Sequence, residues 1–211
     1  MLSVAGQSFE NWRMIIIDDM STDETGESAR KYAKRLGISD QVTIVKRDEK
    51  FGEVKNTLDI VNNVARDDEI IIRLDAGDYL VDLDALTIIR SVYSQLEPAV
   101  LWTAHRWSHT DHNISGPINP AISVYEQPWK SSHLKTFVAK ELKGLSEANF
   151  KDEDDNWIVI ACDQAIFLPM MERARQSKKP LVFLPRVMYH YDIDLQNPGL
   201  FTTERSYKQK G

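Results

Sequence analysis

Residues 3–25 read SVAGQSFENWRMIIIDDMSTDET. At their centre, residues 13–17 read as a strand whose apolar run, 14–17, ends on two adjacent carboxylates, Asp18 and Asp19. A short buried strand that runs into acids and then into Ser21, Thr22 and Asp23 reads as the opening of a strand–turn–helix unit. The helix follows over residues 25–36. Ala29, Tyr32, Ala33 and Leu36 share one face, and Gly37 is a natural stop. The rhythm repeats downstream. Residues 42–45 predict a second strand, and 53–65 a second helix with Val54, Leu58, Val61 and Ala65 inward. Residues 69–74 predict a third strand, and 84–96 a third helix. This alternation predicts an α/β fold: a mainly parallel sheet flanked by helices.

Pro98 marks a change of texture. A strand at 100–103 is followed by 105–127, which lacks a clear period and predicts a loop-rich binding segment. A short helix is expected within 129–142, a helix at 163–174 that contains Pro169, and short strands at 181–184 and 187–191. The acidic run 152–155 reads as a solvated loop. The chain has 211 residues, which predicts one compact domain over 1–211 with halves at 1–98 and 99–211. Its 26 Lys and Arg against 32 Asp and Glu give a net charge of −6, which argues against dedicated duplex DNA binding. Cys162 is the only cysteine, so no internal disulfide and no cysteine-based zinc site can form, and a reducing, cytoplasmic setting is expected. No apolar run nears the ~20 residues of a transmembrane segment, and no signal peptide is read at the start.

In parallel α/β sheets, ligands sit beyond the carboxyl ends of the strands. Two such ends carry acids here: residues 17–23 and the run Leu74-Asp75-Ala76-Gly77-Asp78. Turn and cap chemistry explains either cluster alone. The two together favour a site where a hard cation and phosphate groups meet carboxylates. His105, His109 and His112 are spaced like zinc ligands on a helix, but the surrounding glycine and prolines speak against a long helix. A polar, aromatic loop is the better reading, with Trp102, Trp107 and Trp129 free to stack on a ligand.

The run 3–25, continued by GEVKNTLDIVNNVARDDEIIIRLDAGDYL at 52–80, resembles the opening half of family 2 glycosyltransferases. The resemblance covers about residues 3–96. It implies a GT-A fold, with a nucleotide-sugar-binding half (1–98) and an acceptor-binding and catalytic-base half (99–211). The implied activity is transfer of a sugar, with inversion, from a nucleotide-diphosphate sugar such as a UDP-sugar. The acceptor would be a hydroxyl on a glycan, a lipid-linked sugar or another molecule.

By position, the resemblance assigns Asp19 to the donor's base, with Asp18 supporting that loop. It assigns Lys55 to the diphosphate and Asp75 to the ribose or sugar. The family's Asp-x-Asp element would hold Mn²⁺ or Mg²⁺. Gly77 stands at its usual acid, which leaves Asp78 as the candidate ligand. The segment IVIACDQAIFLPMMERA resembles the family's acceptor side and makes Asp163 the general base; the alternative is that Asp163 only caps its helix. PWKSSHLKTFVAKEL resembles a segment that shapes the sugar cleft, with Trp129, His133 and Lys135 as candidates. His190, in RVMYHYDIDLQNPG, is a weaker metal candidate on a strand of alternating faces. The family's usual first strand and its nucleotide-contacting turn have no counterpart in this sequence. Two readings of the chain follow: a transferase, or a non-catalytic or truncated nucleotide-sugar-binding module. A parallel sheet without an inner strand exposes unpaired backbone, so self-association is a further expectation.

Overall fold

The computed structural model describes residues 1–108 and 110–192. The elements run α1 (Leu2–Ala5), β1 (Met14–Asp18), α2 (Thr25–Leu36), β2 (Val42–Lys46), α3 (Gly52–Asn63), β3 (Ile70–Arg73), β4 (Tyr79–Leu80), α4 (Ala85–Leu96), β5 (Val100–Trp107), β6 (Lys135–Val138), α5 (Ala139–Lys143), α6 (Cys162–Gln176) and β7 (Leu181–Tyr191). The α/β class holds, with helices packed on the sheet. The long helices form where the 3.6-residue spacing placed them, and Gly37 adopts the left-handed conformation that ends α2.

Strand pairing differs from the mainly parallel sheet expected. β1 and β2 form a separate parallel pair, and the other five strands run in the order β3-β6-β5-β7-β4. In that sheet β5 and β7 are parallel, while β3–β6, β5–β6 and β4–β7 are antiparallel. The physical reason is β6. The segment Lys135-Thr136-Phe137-Val138 is a strand that no periodicity announced, and it inserts antiparallel between β3 and β5. The short helix expected nearby follows it as α5. The two strands expected at 181–184 and 187–191 are one, β7, whose register against β5 shifts around Pro185, a residue that cannot donate to the ladder.

Alternating residues feed two cores on opposite faces of the sheet. Val100 and Trp102 pack with Leu58, Phe137, Phe167 and Met170 on one side. Leu101 packs with Leu86, Ile89, Leu134 and Tyr189 on the other. Trp102 is therefore buried, with its indole N–H donating to the Gly116 carbonyl at 2.9 Å, and it is not free to stack on a sugar. Among the described residues, no helix is long and apolar enough to cross a membrane.

Candidate active site

The centre of the site is a buried ion cluster at the ends of β3 and β6 and the start of α6. Asp163 is the second residue of α6, where the helix dipole favours a carboxylate. It meets the Lys135 ammonium, the Arg73 guanidinium at 3.1 Å and His133 Nε2 at 3.6 Å. Burial opposes its ionisation, but Lys135 and then Arg73 outweigh burial and hold its carboxyl well below the usual range. Asp163 is thus a carboxylate at neutral pH, with 27% of its side chain still exposed. Lys135 is only 1% exposed. Its ammonium finds no further acceptor among the described residues, and burial lowers its pKa.

Arg73 is the hub of the cluster. Besides Asp163 it pairs with Glu53, at the start of α3, and lies 3.6 Å from Asp75. Burial, with the Asp163 and Glu53 carboxylates and against Arg73, pushes Asp75 up to about 6. Sequence reasoning missed both Arg73 and Glu53. The one signal was a lone arginine closing the apolar run 70–72.

Aromatic rings wall the cluster. His133 stacks on Tyr189 at 4.8 Å and on Tyr191 at 5.0 Å between ring centroids. Burial, reinforced by Lys135, lowers its pKa to about 3, so the ring is neutral. His105 is likewise lowered to about 4 by burial; its ring nitrogens meet Ser115 and the Trp107 indole N–H. His112 packs against Trp107, and His109 lies outside the described residues. Trp129 lies partly buried beside the first core, with its ring 5.8 Å from the Lys135 ammonium.

A histidine with a depressed pKa favours the folded state above its unfolded value of about 6.5. That stability is lost as pH falls toward the folded value, because the unfolded chain takes up the proton first. His133→Gln should therefore be less stable than the parent at pH 7.5. The gap should close by about 1.4 kcal/mol per pH unit between pH 6.5 and 4.5. Urea titrations at four pH values measure it, and parallel stability curves would refute it.

Of the donor-side candidates, Asp75 belongs to this cluster, while Asp18, Asp19 and Lys55 make other contacts. Asp18 ends β1 and accepts the Ser21 N–H at 2.8 Å, closing the β1–α2 turn against Gly26. Asp19 accepts the Phe51 and Gly52 N–H groups at 2.9 and 2.8 Å and so anchors the start of α3. Lys55 stands over the Phe51 ring at 3.5 Å, beside Glu49. Asp78 accepts from the Tyr189 hydroxyl at 2.6 Å and from the Asp192 N–H at 2.8 Å. His190 stacks on Tyr79, with Nε2 3.3 Å from the Ser108 hydroxyl.

As they stand, the carboxylates that would hold a divalent cation face other groups of the protein. Both Asp78 oxygens hold protein donors, Asp75 faces Arg73, and Gly77 offers no side chain. Among the described residues, no group of three His, Cys, Asp or Glu is arranged to hold a metal ion. A hard cation of this kind is usually held by one or two carboxylates together with substrate phosphates and water, so Asp78 or Asp75 would hold it only beside a bound diphosphate.

The glycosyl transferase family 2 model matches residues 1–136. The chain belongs to glycosyl transferase family 2. A comparison with curated proteins finds no match. Among solved structures, this family 2 chain is similar to S. aureus TarS 1–349 in complex with UDP, at a TM-score of 0.62 and 16% identity, over 95% of this chain and 56% of that one. It is also similar to S. aureus TarS, at a TM-score of 0.60 and 17% identity, over 95% of this chain and 34% of that one. At these identities the likeness is one of fold, and it supports the GT-A assignment. The chain spans about half of TarS 1–349 and a third of TarS.

Proposed function

We propose that this family 2 chain transfers a sugar, with inversion, from a nucleotide-diphosphate sugar to an acceptor hydroxyl. The observation that carries the reading is the shared guanidinium: Arg73 lies against both Asp75 and Asp163. A donor-side carboxylate and a base candidate thereby belong to one cluster, as a displacement between two bound substrates requires. Asp163 takes the proton from the acceptor hydroxyl as its oxygen attacks the anomeric carbon. The bond from that carbon to the diphosphate breaks, and the nucleoside diphosphate leaves with the electron pair. Lys55 offers a point cation to the diphosphate. UDP is the favoured nucleotide, because the similar TarS structure was solved with it.

The test is a transfer and donor-hydrolysis screen over UDP-, GDP- and dTDP-sugars, with calorimetry of the free nucleotides. Turnover of one donor, lost in Asp163→Asn, is expected. With both carboxylates engaged by protein groups, a second expectation follows. EDTA treatment should change nucleotide affinity less than twofold, and Mn²⁺ should not tighten it. A tenfold gain with Mn²⁺ would restore Asp78, Asp75 and His190 as metal candidates.

One observation favours the second reading, a non-catalytic nucleotide-sugar-binding module. Asp163 is held by two cations, which weakens it as a base. Nucleotide binding without turnover of any donor would select that reading.

A further inference from the structure

His133 is nine-tenths buried in the candidate site, with 9% of its side chain exposed. Polar groups this deep are normally paired. Yet among the described residues neither ring nitrogen of His133 makes a hydrogen bond; only its backbone carbonyl does, accepting the Ser115 hydroxyl at 3.4 Å. The nitrogens are not sealed in either. Among the described residues, the fully buried side-chain polar atoms without a hydrogen bond are Lys135 Nζ and His190 Nδ1. The ring lies 12° from parallel with Tyr189 and 23° from parallel with Tyr191. Stacking occupies ring faces and leaves the edge for polar contacts. That edge meets the base candidate: Nε2 lies 3.6 Å from Asp163 Oδ2, too far for a direct hydrogen bond. Tyr189 ties the stack to the donor side, because its hydroxyl donates to Asp78 at 2.6 Å and accepts the Asp75 N–H at 3.3 Å. The two cations on Asp163 are turned elsewhere. Lys135 is 1% exposed, and Arg73 sits on the other oxygen, Oδ1.

We propose that His133 is a further catalytic residue: its Nε2–H donates to the acceptor oxygen while Asp163 takes that oxygen's proton. This role rests on the transferase reading and adds to it. A hydroxyl oxygen at ordinary hydrogen-bond distance from both groups, about 2.8 Å, bridges the 3.6 Å span. It offers its proton to Oδ2 and accepts from Nε2. One lone pair is thereby held, and the other is left to attack the anomeric carbon. The new carbon–oxygen bond forms, the bond to the diphosphate breaks, and the proton ends on Asp163. His133 neither gains nor loses a proton; it orients the attacking oxygen. The tautomer follows from the charges. A bare lone pair on Nε2 would face the Asp163 carboxylate, so the proton belongs there. Burial and Lys135 keep the ring neutral. An imidazolium would be drawn onto Asp163 as an ion pair and would exclude the hydroxyl.

The first test uses the parent protein and no substrate. Two-bond ¹H–¹⁵N correlation spectra at pH 7.5, with the His133 signals assigned through His133→Gln, should show a neutral ring protonated on Nε2. A ring protonated on Nδ1, or an imidazolium, would overturn the proposal. The second test is hydrolysis of the nucleotide sugar that the donor screen turns over. Water then takes the acceptor's place and offers the same proton and lone pairs. Per folded molecule, His133→Leu should be slower by about 10²-fold, the cost of a misplaced reacting group. His133→Gln sets an amide N–H within reach of the Nε2 position and should recover most of that loss, to within about fivefold of the parent. Both variants should bind the free nucleoside diphosphate within about twofold of the parent by calorimetry. A Leu variant as fast as the parent would remove His133 from the chemistry. A Gln variant as slow as Leu would mean that shape matters and the hydrogen bond does not. A nucleotide affinity that falls in step with the rate would make His133 a structural support of the donor site. Each of these results refutes the role. A parent that turns over no donor refutes the transferase reading and this role with it, whereas an active parent beside an equally active Leu variant refutes this role alone.

Discussion

Asp163→Asn should cut sugar transfer by about 10²–10⁴, the usual worth of a positioned general base. It should also weaken the fold. If Asp163 only capped α6, the asparagine oxygen would serve as well and stability would hold. The ion cluster changes that expectation, because Asp163 neutralises Lys135, which is 1% exposed, and shares Arg73. Removing one partner of a buried pair leaves an uncompensated charge, at a cost of about 3–5 kcal/mol. Rate and stability must therefore be separated. Turnover is to be expressed per folded molecule, at a temperature where the variant stays native. A double variant, Asp163→Asn with Lys135→Met, removes both charges and should regain most of the lost stability. It should regain none of the turnover. If turnover returns with stability, Asp163 is a structural anion only. The base must then be sought elsewhere, first among Glu153, Asp154 and Asp155 of the exposed loop.

This cluster also marks how far the sequence could be read. The helices were legible because apolar residues recur every three or four positions, as Leu86, Ile89 and Tyr93 do in α4. Asp163 was legible because it opens a helix inside a familiar segment. Its partners were not. Arg73 and Asp163 lie 90 positions apart, and the Tyr189 hydroxyl reaches Asp78 across 111. No local pattern encodes such a pair; only the strand order β3-β6-β5-β7-β4 brings its members together. Strand direction was illegible for a related reason. Alternation reports that a segment is a strand and which face is buried, not whether its neighbour runs up or down. Lys135 shows the cost of reading charge locally. A lysine in a polar-looking segment reads as a surface contact to substrate, yet at the start of β6, between β3 and β5, it is buried against Asp163.

Arg73→Met tests the hub itself. The arginine side chain is 11% exposed and meets three carboxylates, Glu53, Asp75 and Asp163. Burial opposes its charge, and those carboxylates override burial and raise its pKa. Methionine keeps most of the apolar stem and removes the charge. Glu53 and Asp75 then lose their cation, while Asp163 keeps Lys135. The expected loss is about 1.5–3 kcal/mol at pH 7.5, the range for hydrogen bonds to charged groups, because Glu53 and Asp75 keep 43% and 42% of their side chains exposed. The sign of its pH dependence is fixed by Asp75. That carboxyl titrates at about 6 in the folded protein, above its unfolded value of 3.8. A raised carboxyl stabilises the fold below the unfolded value, and the stability is lost as pH rises through the folded value. Without Arg73, Asp75 loses the neighbour that held it down, so its folded pKa rises further. The variant therefore gains more than the parent on acidification from pH 7.5 to 5.5, and the stability gap between them narrows. Arg73→Lys keeps a charge but not the planar fork that serves several carboxylates at once, so it should fall between parent and Met variant. Urea denaturation of all three proteins at both pH values decides the matter. A gap that stays constant with pH would show that Asp75 is not coupled to Arg73, and a Met variant as stable as the parent would remove Arg73 from the centre of the site.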